Sequence, residues 1–544
     1  MQILAATPFW LPDVEQLQAL APLWSLAASI VAVLLAALVF GRTGRVSATT
    51  AAIGAAVTAY ICYSGFTSRA GSFAGMSPDA SKPMLVVDQF SYFFIFLSSA
   101  FLLLIIGMWW IGQWSAQPGS MSSADDAPEY FTLLLGSAFG MALMVCTTNL
   151  LMIVLAVESA SLPSYGLAGF RKKNRLSAEA SMKYVLFGAV TSAMMIYGAS
   201  LLYGQYHTLD LAKIGAEIST GGASVLMGTA IIAFLAGVAF KVSAVPFHFW
   251  CPDVFEGASI EITTWLSVAS KAAGLGLMLR VISVLTSSTA SPAVLATVSQ
   301  AVAIMAAVTC TVGNFSAFWQ TNLKRLLAFS SIAHAGYMLM AVAILWRPTL
   351  NEAGAVHPAF SAIVAYTLVY VLMNLGAFGI VAMVGWATGK ETLDGFAGLG
   401  WRNPLLGVVM TICLFSLVGL PPFGGFVAKY YLLVALFEAK LYWLIFVAVF
   451  NTLISLYYYA RVAYAMYFVS SDEPPIRTPA LGRLAVVACA LGIVLTGTLY
   501  AGGLIGFAEN RSRDLYRVVQ PTATAAIFPS PDAARAEARG SLGD

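Results

Sequence analysis

The sequence predicts an all-α polytopic membrane protein of about 14 transmembrane helices, and three observations predict it. Of the 544 residues, 59% are hydrophobic and 10% charged, where a soluble chain carries about 25% charged residues. The apolar residues gather in runs of about 20, the length at which a helix crosses the hydrocarbon core. These runs lack the short alternating segments of a closed barrel, and lipid admits only helices and closed barrels because each backbone polar group must be satisfied internally.

In chain order the runs fall near 21–40, 46–65, 90–112, 130–147, 149–170, 177–203, 223–250 and 260–286. Six more fall near 290–313, 322–346, 357–387, 403–437, 440–468 and 481–506. The first follows an acidic start (Asp13, Glu15), lacks a basic leader and is followed by GRTGR, so it reads as a retained helix. Residues 507–544 read as a polar, Ala-rich and partly disordered tail.

Basic residues orient the spans. With the amino terminus outside, the inner loops receive Arg42, Arg45, Arg171, Lys172, Lys173, Arg175, Lys324, Arg325, Lys390, Arg402, Arg477 and Arg483. Both termini are then non-cytoplasmic. The tail arginines (Arg511, Arg513, Arg517, Arg535, Arg539) run against this rule, which weakens far beyond the last span. A net charge of +3, spread over short loops, argues against nucleic acid as a partner.

Two runs are interrupted by proline. VSAVPFHF (242–249) follows Lys241, and SLVGLPPFGGF (416–426) precedes Lys429. Broken helices at corresponding places in two halves point to an inverted-repeat transporter. The division expected is a three-helix segment (1–129), two five-helix units (130–286 and 290–469), a last helix (470–506) and the tail.

Charges inside apolar runs are costly and are functional candidates by default. Glu158, in LLMIVLAVESASLPSYG, has no base near it on its own helix, so it needs a partner from another helix or a proton of its own; the plainer reading is a carboxyl satisfied by serines. Lys241 has no acid nearer in sequence than Asp253, and an unpaired buried amine is a switchable proton site. Lys271 is flanked by Ala and Gly, which leave room for water or a close helix. Lys429 follows the break at Pro421 and Pro422 with no acid on its helix until Glu438. Lys183, four residues after Glu179, fits a surface ion pair as well as a functional role. His248 either relays protons or satisfies carbonyls freed by Pro246, and His334 is a relay or a satisfied core histidine. Lys324 and Arg325 are explained by topology alone, and His207 and His357 read as loop residues.

Redox and metal chemistry have no footing in these residues. The six cysteines form no CxxC pair, no ligand set recurs within a span, and Rossmann and Walker glycine patterns are absent.

FKVSAVPFHFWCPDVFEGA (240–258), NLLMIVLAVESASLPSYGLAGF (149–170) and NLKRLLAFSSIAHAGYML (322–339) together resemble the antiporter-like, proton-pumping membrane subunits of respiratory complex I. FSLVGLPPFGGFVAKYYLL (415–433) and ISLYYYARV (454–462) extend the likeness, which spans about 88–468. The resemblance implies 14 helices with two inverted five-helix units. It matches Glu158, Lys183, Lys241, Lys271 and Lys429 to the family's proton-transfer residues, and places His248 and His334 on histidines of the same motifs. It implies no cofactor on this chain, with flavin, iron–sulfur clusters and quinone expected in partner subunits. The expected partners are other membrane-arm subunits, including further antiporter-like and small membrane subunits, and lipid. The membrane expected is the bacterial inner one.

One departure stands out. After PDVFEGA the family pattern reads P-T-P-V-T-A, whereas this chain has Ser259, Ile260, Glu261, Ile262, Thr263 and Thr264. Both prolines are lost and a carboxylate is gained, which makes Glu261 a further relay candidate near the cytoplasmic side. The rival reading is a subunit of a stand-alone multisubunit cation/proton antiporter. The PDVFEG wording, and the expectation of no long lateral helix with further spans after residue 506, favour complex I.

Overall fold

The computed structural model describes residues 14–67, 73–75, 84–115, 126–221, 225–286, 292–345, 358–471, 473–476 and 478–509. The tail arginines and His357 lie outside them. The first half holds α1 (Val14–Ala19), α2 (Ala21–Phe40), α3 (Gly44–Thr67), α4 (Gln89–Ser115), α5 (Ala127–Cys146), α6 (Leu150–Ala168) and α7 (Arg175–Tyr206). There follow α8 (Leu211–Gly221), α9 (Val225–Val242), α10 (Trp250–Gly257), α11 (Ile260–Trp265), α12 (Lys271–Thr286), α13 (Pro292–Ala317) and α14 (Leu323–Ile344). The last are α15 (Pro358–Thr388), α16 (Leu399–Arg402), α17 (Pro404–Val418), α18 (Gly424–Glu438), α19 (Tyr442–Phe468) and α20 (Ala480–Gly497).

Among the described residues, 12 helices are long and apolar enough to cross a membrane, where the sequence predicts about 14. The difference lies in the two helices that proline breaks. α9 stops at Val242 and the chain resumes as α10, while α17 stops at Val418 and resumes as α18, so each piece is short on its own. A thirteenth span is counted only if Leu393–Arg402 and Pro404–Val418 are joined across a bend of 119°. At the first break Ser243 takes a φ of 63°, and at the second Gly419 takes 88°. Gly419 donates to the carbonyls of Phe415 and Ser416, the αL ending that closes a helix. The Val245–Pro246 and Pro421–Pro422 bonds are cis.

Other helix starts are written locally. Asn149, Asn174, Asn322 and Asn403 accept from backbone N–H groups of the first turn of α6, α7, α14 and α17. Pro404 occupies the first position of α17, where a missing N–H costs nothing.

The expectation of a wholly helical protein holds for the membrane body. In the link between α3 and α4 a short antiparallel pair forms instead, β1 (Phe73–Gly75) with β2 (Leu85–Val87), and Phe73 faces Val87.

The middle of the bundle is set by three spans. Ile260–Ile282, which is α11 and most of α12 joined by a π-helical turn at Leu266–Ser270, is buried throughout its apolar window, as is α14, and α15 is buried over 78% of its own. By contrast α2 is 22% buried and α20 28%. Lys271 and His334 therefore sit on the two most enclosed spans. Four of the predicted inner segments also meet on one side of the bundle: Arg171 donates to the carbonyls of Gly257 and Ala258, and Lys324 donates to the same Ala258 carbonyl and pairs with Glu391.

Candidate functional site

Lys241 lies in the last turn of α9 and is 1% exposed. Its Nζ has no hydrogen-bond partner among the described residues and lies 5.9 Å from the Phe240 ring centre. The carboxylate that acts on it electrostatically is Glu158 of α6, itself half-buried and bound by the Ser192 hydroxyl of α7. Glu158 thus takes its partner from another helix, and that partner is a serine rather than a lysine.

Small residues bring α12 against α9 at this level. A Cβ on Gly274 would sit 3.2 Å from Lys241 Cβ and 2.9 Å from Val242 Cγ2, so only glycine permits the approach. Ser270, at the end of the π-helical turn, donates to the Lys241 carbonyl at 3.4 Å. The next residue is Lys271, also 1% exposed, whose Nζ is 3.9 Å from Cys251 Sγ and 5.3 Å from the Phe255 ring centre. Both belong to α10. A π-turn inside a helix is a recurrent mark of a functional position, and here it ends at the lysine.

The row continues across α14. His334 Nδ1 and the Tyr366 hydroxyl are 2.6 Å apart, and His334 is within electrostatic reach of both Lys271 and Lys429. One turn earlier the Ser331 hydroxyl meets the Tyr370 hydroxyl at 2.8 Å and the Ser267 carbonyl at 3.5 Å. Lys429 of α18 ends the row. Its Nζ donates to the Val418 carbonyl at 2.9 Å and lies 4.3 Å from the Tyr337 ring centre. Lys241, Lys271, His334 and Lys429 are thereby arranged as one buried succession through the centre of the bundle.

The remaining candidates lie off that row. Lys183 is half-exposed and bound to Glu179 at 2.7 Å and Asp253 at 2.8 Å. Asp253 in turn binds Arg325 at 2.7 Å, as does Glu256. Lys183 therefore belongs to an ion network at the bundle's edge. His248 stays at the first break, buried, with its ring 4.3 Å from that of Phe249, and Pro246, Pro421 and Pro422 are exposed on the chain's surface. Glu261 is 1% exposed and lies near Ser259, Tyr130, Arg171 and Lys324.

Several polar residues escape a sequence reading. Lys324 is fully buried, bound to Glu391 and to the Ala258 carbonyl at 2.8 and 3.0 Å. Arg280 of α12 pairs at 2.8 Å with Asp88, and both are buried. A charge inside LGLMLRVISV was signal enough to flag Arg280. No group of three His, Cys, Asp or Glu among the described residues is placed to hold a metal.

A broken-helix bundle with a central row of buried amines and an imidazole defines a class: the antiporter-like proton-translocating membrane subunits. The family model described as NADH:quinone oxidoreductase/Mrp antiporter, TM, matches residues 147–455. The chain belongs to the NADH-quinone oxidoreductase subunit N family. A subunit N from an Anaeromyxobacter species is 39% identical over 459 residues, covering 79% of this chain and 85% of the relative. A chain of Thermus thermophilus respiratory complex I is 29% identical, with a TM-score of 0.72 over 89% of this chain and 98% of that one. A chain of the Mrp complex from a Dietzia species has a TM-score of 0.77 at 19% identity, covering 93% of this chain and 98% of that one, which is a likeness of fold.

Proposed function

We propose that protons cross the membrane along the buried row Lys241, Lys271, His334 and Lys429, in a proton-translocating membrane subunit of respiratory complex I. The observation that carries this reading is Lys241, a fully enclosed amine with no hydrogen-bond partner among the described residues, because a stable charge would demand one. Glu158 sets how firmly Lys241 holds its proton. The attraction of a carboxylate for an ammonium grows as the two approach, so moving them together or apart favours the charged or the neutral amine. Electron transfer in partner subunits drives that change. Lys183 and His248 serve at the margins, Lys183 by holding Asp253 and His248 beside the opened backbone of the first break. Pro246, Pro421 and Pro422 keep carbonyls free to face polar groups.

The broken α9–α10 and α17–α18 each count as one crossing in this reading, which makes 14 spans, ten of them in two inverted five-helix units, 130–286 and 290–469. The ion-paired side, with Arg171, Lys324 and Lys390, faces the cytoplasm of a bacterial cell, and both termini face away from it. Further antiporter-like subunits and small membrane subunits flank the chain, and redox cofactors belong to its partners.

A stand-alone cation/proton antiporter subunit is the second reading, favoured by the Dietzia fold likeness. Purification decides between them. Proton uptake driven by NADH oxidation, in vesicles holding this chain with cluster-bearing hydrophilic subunits, is the outcome expected; sodium-driven proton exchange without such subunits would overturn it.

A further inference from the structure

We infer that Glu261 is the carboxyl group that loads protons from the ion-paired side of the bundle onto Lys271. This deepens the proposed function and rests on Lys271 being a proton carrier.

The residue is placed where a structural carboxylate has little reason to be. It is 1% exposed, at the start of one of the two most enclosed spans, and its Oε1 has no hydrogen-bond partner among the described residues. The Tyr130 hydroxyl, equally buried, also has none. An unmet carboxylate oxygen in such surroundings is costly unless it is protonated or reached by water.

Its neighbours connect it to solvent. Lys324 and Arg171 act on Glu261 electrostatically. Lys324 binds Glu391, whose side chain is 33% exposed, and both bases also hold the Ala258 carbonyl just before the span begins. Arg171, Lys324, Glu391 and ionised Glu261 sum to zero charge. A proton on Glu261 leaves that cluster with one excess positive charge.

The route onward lies along one helix. Glu261, Thr264, Ser267 and Lys271 follow at intervals of three, three and four residues on one enclosed span, the last interval crossing the π-helical turn at Leu266–Ser270, about 15 Å from end to end at 1.5 Å per residue. Thr264 donates to the Ile260 carbonyl at 2.7 Å, Ser267 to the Thr264 carbonyl at 2.7 Å and Ser331 to the Ser267 carbonyl at 3.5 Å, so hydroxyls stand along this stretch between Glu261 and Lys271. The step is a proton transfer: the carboxyl returns to carboxylate and the neutral amine of Lys271 becomes an ammonium.

The test uses the assembled complex in sealed vesicles, with protons moved per electron as the readout. Glu261→Gln is expected to lower that ratio as far as Lys271→Gln does, and Glu261→Asp to restore most of it, which a purely packing role would not produce. If Glu261→Gln pumps normally while Lys271→Gln does not, the inference fails and the proposed path stands. If Lys271→Gln also pumps normally, the path itself is wrong. Should Glu261→Gln not assemble, the unaltered complex decides: an apolar carbodiimide, which reacts with protonated carboxyls, is expected to label Glu261 during turnover, and an unlabelled Glu261 overturns the inference.

Discussion

Lys429 Nζ donates to the carbonyl oxygen of Val418 at 2.9 Å, so the lysine of α18 binds the last carbonyl of α17, on the other side of the helix break. The amine meets the negative end of a half-helix, in a core with no acid on α18 before Glu438. Lys429→Gln keeps a donor for that carbonyl but loses the titratable group. It is expected to assemble normally and to lower protons moved per electron, whereas Lys429→Leu should also lose about 1–3 kcal/mol of stability from the unmet carbonyl. Thermal unfolding and vesicle pumping, measured together, separate the two effects.

Gly419 is tied to the same lysine. Its φ is 88°, and a Cβ there would sit 2.8 Å from Lys429 Cδ. Gly419→Ala is expected to cost about 1–2 kcal/mol from the backbone alone and to displace the lysine, so both melting temperature and pumping should fall. Gly107, with open space around it, serves as the control, and Gly107→Ala should change neither.

Asp88 and Arg280 form an ion pair with side chains 0% and 2% exposed, and Arg280 also lies 4.8 Å from the Phe90 ring centre. Removing one partner strands a buried charge. Arg280→Met is expected to lower stability by about 3–5 kcal/mol, with Asp88→Asn combined with Arg280→Met recovering much of it. Yield and melting temperature of the purified complex report this, and a double variant no better than the single would contradict the pairing.

A pH effect is expected at the link between α19 and α20. Hydrogen bonding from Lys390, aided by Arg402, holds the Glu473 carboxyl below its ordinary value, with distances of 2.6 and 2.8 Å. A depressed carboxyl contributes stability that is complete above its unfolded value and is lost as pH falls through the folded one. Proteolysis of this link should be flat from about pH 8 to 5 and rise below about pH 4; Glu473→Gln should remove that rise by making the link labile at every pH.

Much of the site is legible in the sequence for one physical reason. Charge inside an apolar run is so expensive that Glu158, Lys241, Lys271 and Lys429 declare themselves without any neighbour being known. The half-helices are legible as well, since Pro246 and Pro421 with Pro422 forbid a continuous ladder, and the two runs they interrupt are those missing from the 12 uninterrupted spans among the described residues. What stays hidden is pairing across distance. Arg280 is 192 residues from Asp88, and nothing local links them. Lys324 reads as a topological marker because adjacent bases at a helix start need no other cause, and only the fold reveals that it is wholly enclosed against Glu391. At Lys183 the spacing from Glu179 makes a local pair legible, while Asp253, which joins that pair from another helix, is not.

On the proposed path Lys241 exchanges a proton in every productive cycle. The most direct measurement is protons moved per electron transferred by the assembled complex in sealed vesicles carrying Lys241→Ala in this chain. The complex is expected to assemble and oxidise NADH but to move fewer protons for each electron; an unchanged ratio would contradict a proton-exchanging role for Lys241.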